Sequence, residues 1–261
     1  MATPIGPWAT STAPVRASAD AIDVWRADLT SVEDGLAELL CAEERESARQ
    51  MRDAHKRRLW MRSRGVLRAL LARYLDGDPR ALRFALGPHG KPALHAGPGF
   101  GRAPHRKPAP HAGPRSGVDP HGKAARRDRS GSQDDLDLRF NLSHSGAIAL
   151  YAVTAGHAVG VDVELPRSRQ IDEPAIAKRV LGAQQARRLA DLDPPARTRE
   201  FLRAWVAHEA AAKCRGTGLG TSPADLAAAD LWTAELDVGP DAAAAVAAEG
   251  GRYELRCWEW S

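Results

Sequence analysis

Three cysteines in 261 residues are too few and too scattered for a disulfide framework: Cys41, Cys214 and Cys257 lie far apart, in an odd number, without metal-type spacing. Their scarcity argues against a stapled secreted scaffold, and it points to a reducing, cytoplasmic setting. Long hydrophobic runs are missing too. None approaches the ~20 residues that a membrane-spanning helix needs, and the N-terminus lacks the charged start and apolar core of a secretory signal. Nor is there a broad excess of charge. The formal charge is +4, yet residues 93–135 alone hold eight Lys/Arg against four Asp, so the remainder of the chain is formally neutral. A general nucleic-acid-binding surface is thereby disfavoured, and any polyanion affinity of the folded parts must come from a local pocket.

The chain divides by composition. Residues 1–19, with prolines and scattered Thr and Ser, read as a disordered tail. Residues 20–92 read as an N-terminal subdomain. A strand starts it at Ile22 to Leu29, a helical run follows from Ser31 to Gln50, and a stronger helix runs from His55 to Leu75. Leu59, Val66, Leu67, Leu70, Leu71 and Tyr74 form the apolar stripe of that helix. Asp76-Gly77-Asp78-Pro79 stops it, Leu82 to Leu86 is strand-like, and Gly87 to Pro92 turns. In residues 93–135, 13 of 43 positions are Gly or Pro. With so little to bury, the segment cannot offset its ordering entropy and reads as a disordered insertion. Residues 136–261 read as a C-terminal subdomain. Its strands are expected at Leu138 to Leu142, Ala147 to Thr154, Ala158 to Glu164, Leu231 to Val238 and Arg252 to Trp260, and its helices at Ile176 to Leu192 and Glu200 to Cys214. The pattern is α+β, with two halves of similar content.

Chemistry concentrates in two places. In Val159-Gly160-Val161-Asp162-Val163-Glu164, strict alternation sends the valines to one strand face and Asp162 and Glu164 to the other. Two carboxylates about 7 Å apart on one face repel unless something positive sits between them. In the helix from Glu200, residues Trp205, Glu209 and Lys213 recur every four positions and share a face. Glu209 and Lys213 alone would be an ordinary surface pair worth about 0.3 kcal/mol. Brought over the strand, that face places three acids around one lysine. Hard divalent cations take such oxygen ligands and commonly share them with substrate phosphates.

Five segments in order resemble the large, Sfp-type 4′-phosphopantetheinyl transferases. They are the Arg-rich helix around Arg58 to Leu71, Gly90-Lys91-Pro92, Phe140-Asn141-Leu142-Ser143-His144-Ser145, Gly160 to Glu164, and Trp205 to Lys213 continued by Gly216-Thr217-Gly218-Leu219. The resemblance implies two similar α/β subdomains related by a pseudo-twofold, in a monomer that binds coenzyme A between them. It also implies transfer of the phosphopantetheine arm to a serine of an acyl or peptidyl carrier protein, as in holo-[acyl-carrier-protein] synthase activity, with release of 3′,5′-ADP. Carrier domains of polyketide, non-ribosomal peptide or fatty acid synthases are the expected partners. By the same resemblance Asp162, Glu164 and Glu209 hold Mg²⁺ or Mn²⁺, and Glu209 draws the proton from the incoming serine. Lys213 neutralises the pyrophosphate, Ser143 and His144 hold phosphates, and Arg58, Arg64, Lys91 and Pro92 contribute to the coenzyme A site.

Two departures from the family pattern matter. His208 stands where the family usually has lysine, which predicts weaker coenzyme A binding or slower turnover, relieved at lower pH. The chain also stops where family members continue into one more apolar strand, which predicts an open sheet edge beside the strand ending at Trp260. Both features support an alternative: a degenerate relative that binds coenzyme A or a carrier domain with little or no turnover.

Overall fold

A computed structural model describes residues 6–10, 16–87, 92–94, 137–166, 172–218, 221, 223–227 and 230–261. In chain order its strands and helices are β1 (Ala9–Thr10), β2 (Ala21–Asp28), α1 (Ala42–Arg49), α2 (Ala54–Leu75), β3 (Phe84–Leu86), β4 (Pro92–Leu94), β5 (Leu138–Ser145), β6 (Ile148–Ala155), β7 (Val159–Glu164), α3 (Glu173–Val180), α4 (Ala183–Ala190), α5 (Pro194–Arg215), α6 (Pro223–Ala227), β8 (Leu231–Leu236), β9 (Ala243–Glu249) and β10 (Glu254–Glu259). The class is α+β, as the element pattern predicts.

Two sheets and two 22-residue helices build the body. One sheet runs in the order β1-β10-β2-β6-β5, the other in the order β7-β9-β8. Alternation along β2 and β6 gives the first sheet two apolar faces. Trp25, Ala27, Ala149, Tyr151 and Val153 meet the Leu59, Val66, Leu67 and Leu70 stripe of α2. Ile22, Val24, Leu150 and Ala152 turn instead toward Val159, Val161 and Val163 of β7 and Val246 of β9. Beyond the second sheet, Val206, Ala210 and Cys214 of α5 pack on Ala245 and Ala247. The stack is therefore helix, sheet, sheet, helix, with apolar side chains filling each interval.

Local chemistry sets the ends of the long helices. Asp53 caps α2 by accepting from the His55 and Lys56 amides, and the helix closes at Asp76 in the left-handed region. Asp193 caps α5 through the Ala196 amide, prolines occupy its first turn, and Gly216 (φ 67°) ends it. The capped start lies six residues before the expected Glu200. The helix expected over Ile176 to Leu192 is two, parted at Gly182 (φ 92°). The run expected over Ser31 to Gln50 is also broken. A short 3-10 helix spans Asp34–Leu39, Leu40 is extended, and Cys41 starts α1 with its amide donating to Glu44.

Several expectations about organisation change. Residues 20–92 and 136–261 are not separate in the sheets: β2 lies between β10 and β6, pairing parallel with the first and antiparallel with the second. A sheet needs neighbours for both edges of a largely buried strand such as β2, and the later chain supplies them. Part of the expected tail is built in. Ala9 and Thr10 pair with Trp258 and Glu259, Trp8 packs against the inter-sheet core, and its indole donates to the Asp237 carbonyl. The same pairing covers the outer side of β10 at Trp258 and Glu259, where an open edge was expected. Ala93 and Leu94, assigned to the insertion, belong to a β3–β4 hairpin, opposite Ala85 and Phe84. The rest of the expected insertion, from position 95 onward, lies outside the described residues.

Candidate active site

The geometry of the site begins at a glycine. A Cβ on Gly160 would lie 2.0 Å from the Ala210 carbonyl oxygen and 2.4 Å from the Cys214 amide nitrogen. Only a residue without a side chain lets α5 settle onto β7 at this distance. With the valines of β7 turned inward, Asp162 and Glu164 face the helix, and α5 presents Trp205, Glu209 and Lys213 to them. Between these elements and Leu142, Ser143 and His144 of β5 lies a pocket of about 360 Å³. A larger cavity, about 430 Å³, lies between the first half of α5 and the β8–β9 turn and is lined by none of the expected site residues.

Lys213 is the positive group that meets the Asp162 carboxylate. Its Nζ lies 2.6 Å from Asp162 Oδ1 and donates to Ser143 Oγ at 2.9 Å and to the Val161 carbonyl at 3.3 Å. Ser143 in turn donates to Asp162 Oδ1 at 2.7 Å, and Ser145 donates to Glu164 Oε2 at 3.0 Å. Glu209 is 7% exposed. Burial is the main cause that lifts its pKa to about 7; the Asp162 charge adds to the lift, Lys213 opposes it, and Glu164 adds a smaller share. A carboxyl poised there can take or give a proton near neutrality.

Three acids thus open on one pocket, but among the described residues they do not close into a ready three-ligand cluster. Their attachments explain this: Asp162 is drawn to Lys213, and Glu164 to Ser145. Two buried carboxylate oxygens, Asp162 Oδ2 and Glu209 Oε1, have no hydrogen-bond partner. Buried polar oxygens left in that condition are costly, and oxygen donors of this kind are what a hard divalent cation selects. The donor set fits such an ion.

The other predicted residues divide. His144 stands at the pocket wall; its open edge notwithstanding, the protein packed around it, then Lys213 and Arg64, hold its pKa below the ordinary value. Arg64 therefore acts on the pocket from α2. Its guanidinium lies 5.3 Å over the Trp60 ring, and burial lowers its own pKa. Arg58 is exposed on α2, and Pro92 is buried at the start of β4; neither lines this pocket. Lys91 lies outside the described residues. His208 is buried, does not line the pocket, and keeps an Nε2 without a partner. Burial pushes its pKa down, so the expected gain of charge on mild acidification is displaced to lower pH. Two residues that matter to the geometry, Asn141 and Ser145, stand in the motif read from the sequence but were given no role there, although the spacing of Asn141, Ser143 and Ser145 marks one face of a strand.

Comparison with known proteins gives a profile match over the C-terminal part of the chain and relatives aligned over most of it. The 4′-phosphopantetheinyl transferase superfamily profile matches residues 158–258, from just before β7 to the penultimate residue of β10. A Nostoc protein, 4′-phosphopantetheinyl transferase HetI, is 28% identical over 257 residues, spanning 92% of this chain and 93% of its own. The Synechocystis protein slr0495, which carries the same transferase name provisionally, is 29% identical over 187 residues, covering 71% of this chain and 60% of its own.

Proposed function

The chain belongs to the 4′-phosphopantetheinyl transferase superfamily, and on that premise we propose that it transfers the phosphopantetheine arm of coenzyme A to a serine of an acyl or peptidyl carrier protein. The observation that supports this most is the meeting of Asp162, Glu164, Glu209 and Lys213 in one pocket, from two elements held together at Gly160. Carrier domains of polyketide, non-ribosomal peptide or fatty acid synthases are the proposed substrates, in a holo-[acyl-carrier-protein] synthase type of reaction. No helix among the described residues is long and apolar enough to cross a membrane; a cytoplasmic, monomeric enzyme is proposed.

In this reading Asp162, Glu164 and Glu209 would hold Mg²⁺ or Mn²⁺. When bound, the ion supplies charge stabilisation on the coenzyme A diphosphate. The chain's own residues do the rest. Glu209 takes the proton of the carrier serine hydroxyl, directly or through water. The serine oxygen then forms a bond to the phosphorus beside the pantetheine arm. The bond from that phosphorus to the bridging oxygen breaks, and 3′,5′-ADP leaves with the negative charge. Lys213, already close to Asp162, offsets that charge, and Ser143 and His144 line the phosphate path. Arg64, whose charge already reaches His144, is the α2 residue best placed to assist; Arg58, Lys91 and Pro92 are assigned to the outer coenzyme A site by family likeness. Alignment and proton removal are the main contributions required of the protein.

The test is to incubate the protein with coenzyme A, Mg²⁺ and an unmodified carrier domain and to weigh the carrier by mass spectrometry. Gain of one phosphopantetheine, lost in Glu209→Gln, is the expected result. Coenzyme A binding without any gain would favour the degenerate relative, the reading to which the buried, partnerless His208 lends weight.

A further inference from the structure

At one margin of the stacked sheets two edge strands lie beside each other without sharing a ladder: β5 ends one sheet and β7 ends the other. Side chains bridge this seam. Strand alternation sends Asn141, Ser143 and Ser145 toward β7, where Asn141 Oδ1 accepts the Val161 amide at 2.8 Å and Ser143 reaches Asp162. Ser145 makes two bonds of opposite sense. Its Oγ accepts the Leu165 amide at 3.2 Å and donates to Glu164 Oε2 at 3.0 Å. With a lone pair committed to that amide, the hydroxyl proton is directed to the carboxylate. Just after Ser145 the chain turns at Gly146 in the left-handed region (φ 55°), which glycine adopts without strain.

We infer that Ser145 is a positioning residue for the metal site, fixing the Glu164 carboxylate through this amide–hydroxyl–carboxylate chain. Ser145 itself does not line the pocket, so it acts through Glu164. The inference rests on the proposed metal-dependent reading. Glu164 has reason to need a tether: Asp162 and Glu209 share its pocket, and like charges at short range push a flexible carboxylate away. A partner outside the ligand set that orients a ligand commonly sets metal affinity by about 10–100-fold.

The experiment compares Mn²⁺ binding, followed by electron paramagnetic resonance, in the wild type, Ser145→Ala and Ser145→Thr. Expected are affinity at least about tenfold weaker in Ser145→Ala and recovery in Ser145→Thr, which keeps the hydroxyl on a strand-compatible side chain. In the transfer assay Ser145→Ala raises the Mg²⁺ concentration needed for half-maximal rate while the KM for coenzyme A changes little. Equal or tighter Mn²⁺ binding by Ser145→Ala overturns the inference alone. No Mn²⁺ binding by the wild type overturns the metal-site reading and this inference with it. A parallel rise in both requirements, unrescued by threonine, shows general loosening and also overturns it.

Discussion

Replacing Gly160 by alanine tests how the site is assembled. The added Cβ would lie 2.0 Å from the Ala210 carbonyl oxygen, whereas real Cβ atoms essentially never come within 3.0 Å of such a neighbour. Both close atoms are backbone of α5, so no side chain can swing aside. The helix must retreat from β7 by about 1 Å, and overpacking of this kind costs about 1–3 kcal/mol. At about 2–4 °C per kcal/mol for a chain of this size, thermal unfolding should drop by several degrees. The same retreat carries Glu209 and Lys213 away from Asp162 and Glu164. A misplacement near 1 Å can lower a rate about 100-fold. Gly35→Ala is the control, because a Cβ there meets nothing within 4 Å. Thermal melts and carrier modification rates, measured on both variants, give the answer. If Gly160→Ala melts and turns over like the wild type, the close packing of α5 on β7 does not set the site.

Two further outcomes follow from buried polar groups. Tyr74 accepts from the Trp25 indole at 2.9 Å and donates to Asp23 at 2.8 Å, and Asp23 also takes bonds from Arg256 and Trp258. Tyr74→Phe strands the Trp25 donor and removes one donor from a fully buried carboxylate, so it should cost about 1–3 kcal/mol in urea unfolding; no loss would remove this network from the account of stability. Glu209 sets a pH dependence in protein kept in EDTA. Its folded pKa of about 7 exceeds the ordinary glutamate value of 4.5, so the folded state holds the proton more tightly. Its contribution is full below about pH 4.5 and is lost as pH rises through about 7. Glu209→Gln should flatten that part of the stability profile, and an unchanged slope would contradict the assignment.

The site was more legible in the sequence than the architecture around it. Alternation in β7 and the four-residue spacing of Trp205, Glu209 and Lys213 are local patterns, and local patterns survive folding. Strand β9 shows the opposite case. Its Ala243-Ala244-Ala245-Val246-Ala247-Ala248 run is rich in the strongest helix former and carries little strand signal. Yet it is the centre of its sheet, where Ala245 and Ala247 face α5 and Ala244, Val246 and Ala248 face the other sheet. Small side chains suit a strand pressed between close layers, a requirement that only the tertiary structure reveals. Placement of β2 between β10 and β6 was equally hidden, because pairing across more than a hundred residues leaves no local trace. The seam was half visible: Asn141, Ser143 and Ser145 alternate, but nothing in them announces that their target is the edge of a different sheet.

The central claim is that acids from β7 and α5 grip one cation on the coenzyme A diphosphate. Phosphorus-31 resonance of coenzyme A with sub-stoichiometric Mn²⁺ and the protein tests it most directly. The account predicts that the diphosphate signals broaden far more with the wild-type protein than with Asp162→Asn or Glu209→Gln. Equal broadening with all three proteins would contradict it.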